Sequence, residues 1–396
     1  MIIVLENRAG RRDRIVKKYI LYGTGLEGEK LLYRCYDIID EIVYCVDSFH
    51  KGVFHGIPIV TLAEAGELNS YTILVAAIWP TYQKIKRILE KRGMKEYTDF
   101  FWASEFRKRL VVINANCHGT ALIRYLNSNS QFTEQFCIHP VPQIHANSEG
   151  ELAANLLHKA DVYIHQDIRV DNEFGYKLSD EYTMSLLKKD CLNITIPNFV
   201  GMGDWLFPTL ISPEKKLATS EGEIRLFYGD RAIDEAWRNL GVAPLKQYIL
   251  FYNNYLIGGD HLESEKEIYI KKLRMREKNW DIKIVDFIEN NFQSIPCFVD
   301  CSHPSHYLMA EVCRQVAALL GIESVEDNCF CAKELGNPVP ILKCVRDYYG
   351  LEWDVPSYKQ ENVFLGYHAD INLAEYIKEY VWWFYGIVLD EKGGLG

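Results

Sequence analysis

The chain has 396 residues, 48% hydrophobic, 13% aromatic and 25% charged, with a net charge of −10. That length suits two or three domains with their own cores, and the composition excludes disordered, collagen-like and coiled-coil chains. So acidic a balance speaks against nonspecific nucleic-acid binding, and no apolar run approaches the ~20 residues of a membrane span. The leading MIIVLENRAGRR, with its charges at Arg11, Arg12, Arg14, Lys17 and Lys18 just beyond, does not read as a signal peptide. Eleven cysteines with no CxxC pair, Cys329 and Cys331 forming a lone CxC, argue against a zinc site or a disulfide framework. A cytoplasmic protein with small-molecule partners and no metal is the expectation.

Charge divides the chain. Residues 1–108 carry 17 Lys/Arg and 14 Asp/Glu, so a net +3 there leaves −13 for the rest. The first module opens on Tyr19 to Tyr22, a short apolar strand, followed by Gly23-Thr24-Gly25-Leu26-Glu27-Gly28 and a helix with Leu31 and Leu32 on its apolar side. A GxGxxG between strand and helix lets the backbone turn tightly and approach a phosphate at the helix N-terminus. The next strand, Ile42 to Val46, ends in Asp47, placed to accept from ribose hydroxyls. A strand at Tyr71 to Ala77, a helix at Thr81 to Arg92 and a strand near Tyr97 complete a small Rossmann-like sheet. Phe100-Phe101-Trp102 and the charged run to Arg109 read as the joint.

The second module begins with a strand at Leu110 to Ile113, a turn at Asn114 to Gly119 and a helix from about Thr120. Asn116, Cys117, His118, Gly119 and Thr120 form an unusual cluster there. A thiol at a helix N-terminus feels the positive end of the dipole, His118 stands beside it, and the backbone amides suit an oxyanion. The bland reading is a small residue at a crowded, Asn-capped turn. Strands at Ala160 to His165 and Cys191 to Ile196 end in polar Gln166, Asp167 and Asn198, with helices at Ala153 to Lys159 and Asp180 to Lys189 between them. Polar residues at the carboxyl ends of parallel strands are where α/β proteins collect ligands. Gly201 to Pro208 is a glycine-hinged aromatic loop that suits either a cover or an Ω-loop.

Helical patterns follow at Glu221 to Leu240 and His261 to Asn291; the charge run Lys271 to Lys278 in the latter reads first as a solvated helix face and second as a phosphate grip that includes Arg276. A strand at Pro296 to Val299 leads to Asp300-x-x-His303-Pro304 and a helix to Leu320. An Asp three residues before a His fixes its tautomer and makes it a base, with His306 as rival. The aromatic helix Ala374 to Leu389 reads as core.

Two resemblances emerge from these motifs. GTGLEG…VDSFHKGVFHGIPIV…LAEA, over about residues 18–100, resembles the N-terminal domain of sialic-acid O-acetyltransferases and bacillosamine acetyltransferases. That implies a nucleotide sugar near Gly23, Gly25, Gly28 and Asp47. The NCHG turn, the strand ending at Gln166, the IPN strand end, the Arg276-Glu277 pair and the HP-initiated late helix together resemble the WcbI-type polysaccharide biosynthesis family over residues 110–322. That likeness implies coenzyme A or acetyl-CoA held among Asn116, Cys117, Gly119, Gln166 and His303, with His118 where the family commonly carries Gln.

The expected architecture is α/β: a Rossmann-like domain over 1–104, a WcbI-like SGNH/flavodoxin-like domain over 105–345, and a helical extension over 346–396 packed on the second. The expected function is acyl-CoA-dependent transfer to a sugar in surface polysaccharide or capsule assembly, with Cys117, His303 and Asp300 catalytic and a homo-oligomer as one assembly. An activated CoA thioester favours direct transfer over an acyl-cysteine. The alternatives are an SGNH-like deacylase, a non-catalytic CoA- or nucleotide-binding scaffold and, third, a nicotinamide oxidoreductase.

Overall fold

The computed structural model describes residues 18–211, 216–219, 222–225, 228–323, 339–353, 358–362 and 367–389. The basic residues from Arg11 to Lys17, together with Cys329 and Cys331, lie outside them.

The chain is α/β, built on two mainly parallel sheets. In the first, β1 (Tyr19–Tyr22) lies between β2 (Ile42–Val46) and β5 (Thr72–Val75). The order is β3-β4-β2-β1-β5-β6, with β3 (Gly52–Phe54), β4 (Ile57–Val60) and β6 (Phe100–Trp102). Every pairing is parallel except the β3–β4 hairpin. That hairpin turns on His55 and Gly56, both at positive φ, the backbone a two-residue turn of primed type requires. Helices α1 (Leu26–Arg34) and α2 (Trp79–Lys91) each bury one apolar stripe against it. Phe100 to Trp102 is therefore not the joint: it forms the sixth strand, beside β5. The strand expected near Tyr97 lies three residues later.

The second sheet has the order β10-β9-β7-β8: β7 (Arg109–Asn114), β8 (Phe136–His139), β9 (Val162–Gln166) and β10 (Leu192–Ile196), all parallel. Three α-helices fall between its strands early in the chain: α3 (Cys117–Ser128), α4 (Ser130–Gln135) and α5 (Ala154–Lys159). A fourth, α6 (Asp180–Ser185), precedes β10.

The helix expected over Glu221 to Leu240 is shorter. Gly222–Arg225 is a strand in a hairpin with Lys216–Thr219, and α7 covers only Arg231–Leu240. After α8 (Leu245–Asn253), the long basic helix also splits, into α9 (Gly259–Glu277) and α10 (Val285–Asn291). The break has a cause. Trp280, Ile282 and Ile284 turn into the core, and the Glu277 carboxylate accepts from the amides of Ile284 and Val285, capping α10. Pro296 to Val299 is no strand; only a bridge between Phe298 and Pro304 forms there, before α11 (His306–Leu320).

One core runs from Val111 to Leu389 and takes in α12 (Lys343–Tyr349) and α13 (Leu373–Tyr385). Buried Tyr376, Ile377, Tyr380 and Val381 make α13 a core element. Its hydroxyls also tie it to α7: Tyr380 accepts from the Asp230 amide at 2.8 Å, and both Tyr380 and Tyr385 donate to Asp234. Trp205 of the glycine loop is fully buried against Phe292 and Tyr349, so the loop is core and not a cover. No helix among the described residues is long and apolar enough to cross a membrane.

Candidate active site

The site lies at the carboxyl edge of the second sheet, where β7 gives way to α3. Helix α3 starts at Cys117, three residues earlier than expected, because Asn116 caps it: its Oδ1 accepts from the His118 amide at 3.0 Å. Cys117 thus occupies the first helical position, half-buried. Gly119 is required by space, since a Cβ there would stand 2.9 Å from that of Ala115.

Across the edge, the loop before α11 brings His303. Its Nε2 lies 3.6 Å from Cys117 Sγ, across 186 residues of sequence. Its Nδ1 faces the Asp300 carboxylate, at 2.8 Å from Oδ2. Asp300 is 1% exposed, and its Oδ1 accepts from the amides of Ser302 and His303. Burial opposes charge on the His303 ring, but the Asp300 and Cys117 contacts outweigh it and raise its pKa to about 10. The ring is a proton-holding bridge between a sulfur and a carboxylate.

His118 has a different task. Its Nε2 donates to the Ser302 carbonyl at 3.2 Å, and its Nδ1 accepts from the Gln166 side-chain amide at 3.2 Å. Burial first, then the charge of His303 beside it, push its pKa down to about 3 and keep the ring neutral. Gln166 is the hub of the turn: its Oε1 accepts from the Asn116 amide, and its Nε2 also reaches Asn116 Oδ1 and the Pro197 carbonyl. Asn116 Nδ2 approaches Asn198 Oδ1 at 3.4 Å, and Arg276 donates to the Asn198 carbonyl at 3.3 Å while lying over Trp280. The Glu277 of the expected Arg-Glu pair instead caps α10. Thr120 points the other way and accepts from Gln143.

The expected oxyanion site narrows. The amides of Asn116, His118 and Gly119 are all engaged locally, so among the described residues the Cys117 amide is a remaining donor of the turn. The rival His306 starts α11, its ring tilted against that of Tyr307. Sequence reasoning missed Ser302, whose hydroxyl accepts from the Gly201 amide, and Gly203, where a Cβ would meet the Asp300 carbonyl at 2.7 Å. The GMGD glycines carried the signal, but not their partner loop. The expectation of no metal ligands meets a cluster: the ligand atoms of Cys117, His118 and His303 lie within 4.8 Å of one another.

At the first sheet the glycines divide. Gly23 (φ +108) faces the Ala76 carbonyl, which a Cβ would meet at 2.4 Å, and a Cβ on Gly28 would meet the Gly23 carbonyl at 2.7 Å. Both serve backbone packing. At Gly25 a Cβ would meet nothing within 4 Å. Asp47 does not face outward to a ribose, as its position had suggested. Its carboxylate accepts from the amides of Thr24, Phe49 and His50 and from the Thr24 hydroxyl, and these bonds together hold its pKa down despite its burial.

Fold and site together define an α/β protein with a Cys–His–Asp constellation at a sheet edge. The family model of the WcbI polysaccharide biosynthesis enzymes matches residues 110–325, more than half of the chain. The chain belongs to that family. A solved structure described as WcbI, a novel polysaccharide biosynthesis enzyme, matches with a TM-score of 0.53 at 18% identity, over 70% of this chain and 90% of that one. That protein is described as native, without a disulfide bond between CoA and one of its cysteines. No curated protein matches the chain.

Proposed function

We propose that this polysaccharide biosynthesis enzyme transfers an acyl group, acetyl foremost, from coenzyme A to a sugar. The observation that carries the reading is the line Cys117–His303–Asp300, with sulfur and Nε2 at 3.6 Å; the family and the CoA named for the similar structure supply the donor. Arg276, half-buried and without a carboxylate within ion-pair distance among the described residues, suits the donor's phosphates.

The geometry favours an acyl-cysteine over direct transfer. Proton passage from Cys117 to His303 leaves a sulfur anion beside an imidazolium that Asp300 steadies. The sulfur attacks the thioester carbon, the Cys117 amide and Asn116 Nδ2 facing the oxyanion. The C–S bond to CoA breaks, and His303 returns its proton to the departing thiolate. The acceptor hydroxyl then gives its proton to His303 Nε2 as it attacks the acyl carbon, and Cys117 is released.

The first sheet is proposed to hold the nucleotide-sugar ligand. Exposed Leu26, Phe49 and Ile78 follow the carboxyl ends of β1, β2 and β5, and a Cβ at Gly25 would meet nothing within 4 Å. The test is intact mass after incubation with acetyl-CoA alone, followed by release of free CoA with and without sugar acceptors. An acetyl adduct on Cys117 that an acceptor discharges supports the reading. CoA release with water as the sole acceptor would make the protein a hydrolase instead.

A further inference from the structure

We infer that Cys117, His118 and His303 form a binding site for a thiophilic divalent cation of the zinc class, and that its occupation shuts the acyl-transfer site. Sulfur and nitrogen ligands of one tetrahedral zinc, at bond lengths of about 2.3 and 2.0 Å, stand about 3.5 Å apart. Cys117 Sγ and His303 Nε2 are 3.6 Å apart, already at that edge length. The third ligand atom, from His118, lies within 4.8 Å of both.

The surroundings suit metal ligation. A zinc-bound histidine usually donates its other ring N–H to a carboxylate or a backbone carbonyl, which fixes the tautomer and aims the lone pair. Both imidazoles have such a partner. His303 Nδ1 faces Asp300 at 2.8 Å, which leaves Nε2 for the ion. His118 holds the Ser302 carbonyl with Nε2 and the Gln166 amide with Nδ1, both at 3.2 Å, so either ring nitrogen has its orienting partner once the other turns to the ion. Closing the site asks His118 to give up one of those two hydrogen bonds and to draw in from the 4.8 Å limit of the cluster. Three protein ligands leave a fourth position to water, and the sulfur and Nε2 consumed are those the transfer reaction uses.

The site rests on the same side chains as the proposed transfer, yet its test needs no acyl donor. The intact protein is titrated with Co2+ alone in metal-free buffer, and then with Zn2+ alone. One equivalent of Co2+ is expected to give a thiolate-to-cobalt charge-transfer band and the intense visible bands of a tetrahedral site, and Zn2+ to bleach both. Cys117→Ser is expected to remove the charge-transfer band. His118→Gln keeps a hydrogen-bonding amide but supplies a poor zinc ligand, and is expected to weaken Co2+ at least ~10-fold. No charge-transfer band in the wild-type protein at saturating Co2+ overturns the site, as does unchanged affinity in His118→Gln. A chain that shows the cobalt spectrum but transfers no acyl group keeps the metal site and loses the transfer reading; the reverse holds equally.

Discussion

The molecule uses the same local device twice. At Gly23 to Gly28 and at Asn114 to Gly119, a buried parallel strand runs through a tight turn into a helix at the sheet edge. The first turn is closed on itself. Asp47 takes Thr24 by amide and hydroxyl, Gly23 and Gly28 press against backbone, and Gly25 caps α1 without a side chain. The second turn is open to the rest of the chain: Gln166 comes from 50 residues away, Asn198 from 82 and His303 from 186. A strand–turn–helix makes an anion-friendly corner, but chemistry arises only where distant loops bring a base and its carboxylate to that corner.

The largest effects test the open turn. His303→Ala is expected to lower turnover by about two to four orders of magnitude, the contribution of a positioned acid–base group. Cys117→Ser should be nearly as damaging, and Asp300→Asn less so, because it disturbs the tautomer but leaves the ring. Steady-state rates with acetyl-CoA check all three; wild-type turnover in either His303→Ala or Cys117→Ser would erase the distinction between the turns. Next come the glycines. Gly23→Ala places a Cβ against the Ala76 carbonyl in a left-handed backbone and should cost about 1–3 kcal/mol or more in denaturant titration. Gly25→Ser meets open space and should be neutral or slightly stabilising, since serine caps a helix. A folded Gly25→Val protein that still binds nucleotide sugars would show that this turn never meets a ligand.

Binding sharpens the contrast further. At a hundredfold excess over Kd, CoA should stabilise the chain by about 2.7 kcal/mol, read as a rise in Tm. Cys117→Ser should keep that shift, and an Arg276→Ala protein should lose most of it.

The last effects concern pH. His303, raised to about 10 from an ordinary 6.5, contributes stability that is complete below 6.5 and fades as pH climbs towards 10. His118, lowered to about 3, contributes stability present above 6.5 and lost as pH falls towards 3. Asp47, held below its ordinary 3.8, adds a loss at still lower pH. Urea titrations across this range should show His303→Ala flattening the alkaline fall and His118→Gln the acid one.

Local patterns were readable wherever a strand was apolar and bounded by turn residues: β1, β2, β5, β7, β9 and β10 all lie where their sequences place them. Asp300-x-x-His303 was legible too, because its spacing is contained in one loop. Three features were not. β8 (FCIH) follows α4 with no intervening turn signal, the helix after Glu277 breaks because its own carboxylate caps the next helix, and Pro296 to Val299 forms only a bridge. The engagement of Asp47 was hidden for a related reason. Its position was visible, but its four donors come from a loop and a turn that no periodicity describes.

The dependence of the second core on α13 has a consequence for biogenesis. All six strands of the first sheet have left the ribosome once residue 102 has emerged, so that sheet can close while synthesis continues. The core behind Cys117 waits for Tyr376, Ile377, Tyr380 and Val381, more than two hundred residues later. Until then α7 presents the buried Asp230 and its neighbour Asp234 with no tyrosine hydroxyls to meet them, and the apolar faces of α7 and α8 stand open. The nascent chain therefore carries a closed sheet ahead of a core that still waits for its last helix.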